Sequence, residues 1–260
     1  MLNINFLAKK AAEALAETLY PTRCVHCDEP GVLLCEKCKE ELTIIDPNYA
    51  CIACGAPFGF LACTECSRSA TKFAEDEIPV LCPGEDFEPT PLFPFHEVRG
   101  FYVYEDCAKS ILTSYKDAGE LRLEEIIGQG IYAAACNLKD KPDAVTRIPA
   151  NPKHVKARGY DHMKSISKFC ANKLNMPMLD ILDNASKKRG LLDQRELSAK
   201  QRQQNKSGSF VIKEYKTQLP EHILLIDDVM TTGATLSAAA NALLAAGAKC
   251  VDVAVFARVW

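Results

Sequence analysis

Residues His222–Ala248 read HILLIDDVMTTGATLSAAANALLAAGA, and this stretch decides the fold. Ile223 to Ile226 is a short, apolar, β-branched-rich run, the pattern of a strand in the middle of a parallel sheet. Asp227 and Asp228 follow at its carboxyl end, where open α/β sheets place their ligands. The loop MTTGAT comes next, with Gly233 free to adopt conformations other residues avoid, and an alanine-rich helix then runs from Thr235 to Gly247. Unpaired amides at a helix start, together with the hydroxyls of Thr231, Thr232 and Thr235, suit a phosphate monoester. In the plainer alternative the acids cap a loop and the threonines are turn residues.

The chain has 260 residues, enough for one α/β domain and a smaller module. Its formal charge of −3 hides an asymmetry, because residues 147–206 hold 14 Lys/Arg against 5 Asp/Glu. Such a region faces an anionic partner or stays solvated, and solvation suits Lys187, Lys188, Lys200 and Lys206. Thirteen cysteines would suit a secreted disulfide protein, but MLNINFLAKKAAEALAETLYP carries charges where a signal peptide needs an apolar core. It reads as an amphipathic helix. With no apolar run of bilayer-spanning length, the sequence predicts a cytoplasmic protein with reduced thiols and no membrane span.

Eight cysteines form four Cys-x-x-Cys pairs: Cys24/Cys27, Cys35/Cys38, Cys51/Cys54 and Cys63/Cys66. Each pair makes a knuckle presenting two thiolates, and two knuckles complete a tetrahedral zinc site. CVHCDEPGVLLCEKC and CIACGAPFGFLACTEC repeat one another with one inserted residue, which favours self-contained units. The expected ligand sets are therefore Cys24, Cys27, Cys35 and Cys38 on one Zn2+, and Cys51, Cys54, Cys63 and Cys66 on another, with a crossed pairing still open. Closed four-thiolate sites leave no open coordination position, so both metals are assigned to folding or partner docking and not to catalysis. An iron-sulfur cluster or a redox dithiol explains the doubled pattern less well. Cys82, Cys107, Cys136, Cys170 and Cys250 lack ligand spacing and are expected to be buried or half-buried thiols.

These features divide the chain into an amphipathic helix (1–20), a double zinc ribbon (21–70), an acidic, proline-rich linker (71–96) and an α/β domain (97–260). In the last, VRGFYVYED reads as a strand, CAKSILTSYKDAG and ELRLEEIIGQGIYAAACNL as helices, AVTRIPA as a strand followed by a basic loop. YDHMKSISKFCANKLN reads as a helix, MLDIL as a strand, DQRELSAKQRQQN as a polar helix or irregular segment, and KCVDVAVFARV as the final strand. Alternating strands and helices predict a mainly parallel sheet with right-handed crossovers.

The thirteen residues Ile223 to Thr235 match the signature of the type I phosphoribosyltransferases: four apolar residues, two acids, an apolar residue and a Thr/Gly loop. Combined with the cysteine-rich N-terminus, the chain resembles the ComF-type (ComF/GntX) competence proteins. Further matches are Tyr115-Lys116 before Gly119, IPANPKHVKARGYDH, and Gln194, Leu197, Arg202 and Asn205. One departure is RGYDH at Arg158–His162, where the family usually carries Arg-Gly-Phe-Asn-Gln; another is a longer segment before Val98. The resemblance implies a type I phosphoribosyltransferase fold that binds phosphoribosyl pyrophosphate (PRPP) with Mg2+. Asp227 and Asp228 would bond the ribose hydroxyls, and Val229, Met230, Thr231, Thr232, Gly233, Ala234 and Thr235 would form the loop around the 5-phosphate.

Breaking the anomeric carbon–oxygen bond needs a held ribose and a stabilised pyrophosphate, so cations are the catalytic tools. Lys116, Lys153, Lys156 and Arg158 are the candidates for the pyrophosphate, Arg158 also for catalysis beside the two acids, and Arg189 and Arg202 lie in a segment expected to cover the site. The family resemblance implies a role in DNA uptake or the use of DNA-derived nucleotides, with an unknown acceptor. A non-catalytic PRPP sensor contacting single-stranded DNA or competence proteins is the alternative, though the basic region has few aromatics for stacking. A nucleotide-salvage transferase is a third reading, which the cysteine module argues against.

Overall fold

A computed structural model describes residues 18, 21–59, 63, 93–185, 209–215 and 218–260. The expected N-terminal helix, most of the linker, Cys66, Cys82, Arg189 and the segment DQRELSAKQRQQN lie outside the described residues. Four strands form a wholly parallel sheet: β1 (Glu97–Val103), β2 (Ala144–Arg147), β5 (His222–Met230) and β6 (Cys250–Arg258), in the order β1-β6-β5-β2. β3 (Leu182–Asn184) and β4 (Phe210–Ile212) pair separately as an antiparallel ribbon.

Both faces of the sheet are covered, which is why its strands read as continuous apolar runs. The described helices are α1 (Glu36–Glu40), α2 (Asp106–Lys116), α3 (Glu124–Cys136), α4 (Pro152–Arg158), α5 (His162–Leu174) and α6 (Ala234–Ala245). Leu224 and Ile226 of β5 join a core with Ile111, Ile127, Ile131 and Ile166, from α2, α3 and α5. Ile223 and Leu225 point the other way, into a core with Leu236, Ala239 and Leu243 of α6. This alternation, the period-2 rule of a strand, also aims the next two residues at opposite faces.

Three local differences from the sequence expectations have physical causes. The stretch after Pro149, expected as a loop, forms the short helix α4: Asn151 caps it by accepting from the Lys153 N–H at 2.9 Å, Pro152 sits in its first turn, and Gly159 ends it at φ 83°. β5 does not stop at Ile226 but stays paired with β6 to Met230, whereas β2 ends at Arg147 beside Ile226. MLDIL yields strand only from Leu182 onward, with Met178 making a single bridge to Val145.

The cysteine segment packs directly on this domain. Cys24, Leu34 and Cys38 belong to the same core as α2 and α3. Ile45 donates its N–H to the Phe101 carbonyl at 2.9 Å, and Val98 donates to that of Ile52 at 2.8 Å, so the segment lines the outer side of β1. Among the five cysteines without ligand spacing, Cys107 and Cys170 are buried, Cys250 is half-buried, and Cys136 is exposed, contrary to expectation. No helix among the described residues is long and apolar enough to cross a membrane.

Candidate functional site

Because β2 ends opposite Ile226 while β5 runs on to Met230, the last residues of β5 extend past β2 at the carboxyl end of the sheet. Asp228 continues the alternation of Leu224 and Ile226 and meets α2 and α5. Its Oδ2 lies 2.6 Å from Lys116 Nζ, at the last residue of α2, and 2.8 Å from His162 Nε2, at the first residue of α5. Tyrosines fix these two helix ends together: the Tyr115 hydroxyl donates to the His162 carbonyl at 2.8 Å, and the Tyr160 hydroxyl to the Tyr115 carbonyl at 2.7 Å.

The two acids are electrostatically unlike. Burial works against the Asp228 carboxylate, but the His162 hydrogen bond and the Lys116 charge outweigh it and hold the group below the ordinary aspartate range. Asp227 is pushed well above that range, first by burial and then by the charge of Asp228. Its carboxylate accepts the Asp228 N–H at 3.0 Å.

Gly233 caps α6 in the left-handed conformation, φ 76°, so the loop turns sharply into the helix. Thr231, Thr232, Ala234 and Thr235 are exposed, and the Ala234 N–H reaches only the Thr232 hydroxyl at 3.4 Å. The first turn of a twelve-residue helix thus offers amides and hydroxyls toward solvent, the chemistry that holds a phosphate monoester.

The structure brings Lys116, Asp227 and Asp228 together with the Thr/Gly loop. Arg158 pairs with Asp117 at 3.2 Å, one residue beyond Lys116. Lys153 and Lys156 stand exposed on α4, with no contact to the acids among the described residues. Lys156 also edges a cavity of about 290 Å³ between α4 and the β3–β4 ribbon. At its base is Arg147, whose side chain is only 7% exposed and pairs with Asp161 at 2.7 Å and Asp180 at 3.3 Å. Burial weighs first on Asp180, but the bond from Lys213 and the charge of Arg147 prevail and lower it.

Sequence reasoning missed His162, Arg147 and Asp161 as site residues. For His162 the signal was the departure from the family's usual residue at that place; for Arg147, a charge ending a buried apolar strand.

The cysteines gather as two groups. The sulfur atoms of Cys24, Cys27, Cys35 and Cys38 all lie within 4.8 Å of one another, as do those of Cys51, Cys54 and Cys63. Cys27 and Cys35 are 3.6 Å apart and Cys54 and Cys63 3.5 Å. Tetrahedral zinc with bonds of about 2.3 Å needs sulfurs roughly 3.8 Å apart, so both groups fit zinc. Burial opposes the Cys24 thiolate, yet N–H groups of Cys27, Cys35 and His26 bring the thiol down to about 6, whereas burial and the neighbouring sulfurs push Cys38 up, so the first thiolate of the group falls on Cys24. The first group is the sequential set expected of it, and the second holds three of its four expected ligands, Cys66 lying outside the described residues.

A model of the phosphoribosyl transferase domain matches residues 166–259. Competence protein F of Haemophilus influenzae is 24% identical over 247 residues, covering 91% of this chain and 96% of that protein. Competence protein ComFC of Streptococcus pneumoniae is 29% identical over 163 residues, 62% of this chain and 67% of that one. ComFC of Bacillus subtilis is 24% identical over 232 residues, 88% and 84% of the two chains. Among solved structures, adenine phosphoribosyltransferase from Leishmania tarentolae aligns over 59% of each chain with 14% identity and a TM-score of 0.30. Over most of its length the chain is thus similar to competence proteins F and ComFC, and its residues 166–259 match the phosphoribosyl transferase domain.

Proposed function

We propose that the protein binds PRPP at the carboxyl end of β5 and acts in competence, in DNA uptake or the use of DNA-derived nucleotides. The observation that carries this is the Asp227–Asp228 pair, one acid held ionised by Lys116 and His162, followed by a Gly233-capped helix start. The ribose hydroxyls donate to the two carboxylates. The Thr231–Thr235 amides and hydroxyls hold the 5-phosphate. As the anomeric carbon–oxygen bond breaks, negative charge grows on the departing pyrophosphate, and Lys116, Lys153, Lys156 and Arg158 are the cations available to stabilise it. Lys116 is the nearest to the acids, already ion-paired to Asp228. Mg2+, when bound, supplies further charge neutralisation through hard oxygen donors, which the two aspartates and the ligand itself offer.

The acceptor would enter by the cavity beside Arg147 and Asp180, at the end of β2. The two zinc sites serve folding, and the chain works in a reducing, cytoplasmic setting. Calorimetric titration with PRPP and Mg2+ tests the ligand: wild type should bind and Asp228→Asn should lose most affinity. Pyrophosphate release across a panel of bases then separates a transferase from a PRPP sensor, because a sensor binds without release.

A further inference from the structure

The second cysteine group touches the Thr/Gly loop through Arg258, the final residue of β6, which is 4% exposed. Its Nε donates to the Cys54 carbonyl at 2.9 Å, while Nη1 donates to the Thr231 carbonyl at 2.8 Å and reaches that of Met230 at 3.4 Å. Cys54 lies in a tight turn closed by Gly55 N–H to Cys51 carbonyl and Cys51 N–H to Ala56 carbonyl, both 2.8 Å. One planar guanidinium therefore holds the backbone of a metal knuckle and of the Thr/Gly loop at once, a geometry lysine cannot reproduce.

An apolar contact runs parallel to this polar one. Phe93 packs against the small cluster of Cys51, Cys54, Ala56 and Cys63 and also against the core that includes Leu236, Ala239 and Leu243 of α6. A Cβ on Gly233 would lie 2.8 Å from the Phe93 ring. The left-handed corner of the loop thus sits directly on a side chain that also covers the knuckle.

We propose that Arg258, aided by Phe93, couples metal in the second cysteine group to the phosphate affinity of the Thr231–Thr235 loop. Arg258 is a positioning residue in this scheme. Metal fixes the Cys51–Cys54 turn, the turn fixes the guanidinium, and the guanidinium fixes the Thr231 carbonyl and hence the direction of the loop amides. The inference rests on the phosphoribosyl reading of that loop. Because coupling is reciprocal, a ligand on the loop must tighten this zinc by the same factor as the zinc tightens the ligand.

The test uses the full zinc-loaded chain. PRPP and ribose 5-phosphate affinities are measured for wild type, Arg258→Lys and Cys63→Ser, and zinc loss to a competing chelator is followed with and without ribose 5-phosphate. Each variant should lose about tenfold in affinity for both phosphate esters, a size typical of couplings between sites, with binding of inorganic pyrophosphate unchanged. The double variant should be no weaker than either single one. In wild type, ribose 5-phosphate should protect one of two zinc ions from the chelator, and Arg258→Lys should abolish that protection. Should Cys63→Ser fail to fold, the chelator experiment on Arg258→Lys decides the matter. Wild-type ester binding with no zinc protection would overturn the coupling alone; no ester or PRPP binding by wild type would overturn the phosphoribosyl reading and the coupling together.

Discussion

Replacing Asp227 and Asp228 one at a time by asparagine should move stability in opposite directions. Asp228 is 4% exposed, and its Oδ2 receives both Lys116 and His162. A charged hydrogen bond contributes about 1.5–3 kcal/mol, but asparagine keeps an acceptor oxygen and Lys116 can regain some water, so Asp228→Asn should cost about 1–3 kcal/mol. At this chain length that is a fall in Tm of roughly 3–10 °C. Asp227 carries a penalty instead, since burial and its neighbour's charge both disfavour ionisation. Asp227→Asn removes that charge at nearly constant shape and should stabilise by about 0.5–2 kcal/mol, the usual gain from relieving a functional site.

The pH dependence fixes the signs. Asp228 has a lowered folded pKa, so its contribution is complete above the unfolded value and disappears as pH falls through the folded one. The deficit of Asp228→Asn should therefore be full at pH 7 and close below about pH 4. Asp227 has a raised folded pKa, so its penalty is present above that value and vanishes below the unfolded one. The advantage of Asp227→Asn should likewise be largest at neutral to alkaline pH and absent below about pH 4. Thermal unfolding of both variants across this range is the assay. Equal shifts of the same sign at pH 7 would refute the electrostatic asymmetry.

Three other perturbations probe the same account. Gly233→Ala places a Cβ on Met230 and Phe93 at φ 76°, so it should cost about 1–2 kcal/mol from the left-handed backbone alone and weaken phosphate-ester binding; unchanged Tm and affinity would contradict the loop geometry. PRPP affinity should rise with pH through the elevated Asp227 titration, with a proton released on binding, which calorimetry in buffers of different ionisation enthalpy detects; no proton release would argue against ribose contact with Asp227. Cys38→Ser, at a fully buried position shared with the α2–α3 core, should lower zinc content from two to one per chain and destabilise the whole protein; mass spectrometry and unfolding check this, and retention of both ions would overturn the ligand set.

How legible the molecule was in its sequence varied by the range of the interactions involved. β5 and α6 were readable because burial on two faces leaves an unbroken Ile-Leu-Leu-Ile run and an alanine-rich helix, both local signals. The length of β5 was not, since its last residues stay in the sheet only by pairing with β6. α4 carried its own markers, Asn151, Pro152 and Gly159, but its many polar residues masked them. Asp227 and Asp228 could be picked out as a pair, yet their division of labour depends on Lys116 and His162, which reach Asp228 from α2 and α5 across long stretches of chain. Arg258 hid in the same way: a lone charge at the end of an apolar strand hints at a role, but only the fold reveals that Cys54 lies opposite.

The most direct test of the central claim is calorimetric titration of the zinc-loaded protein with PRPP and Mg2+, with ribose 5-phosphate and pyrophosphate as controls. Saturable, PRPP-preferring binding is expected, weakened by Asp228→Asn roughly ten- to a hundredfold, as loss of one charged hydrogen bond implies. Folded, zinc-loaded wild type that takes up none of the three ligands would contradict it.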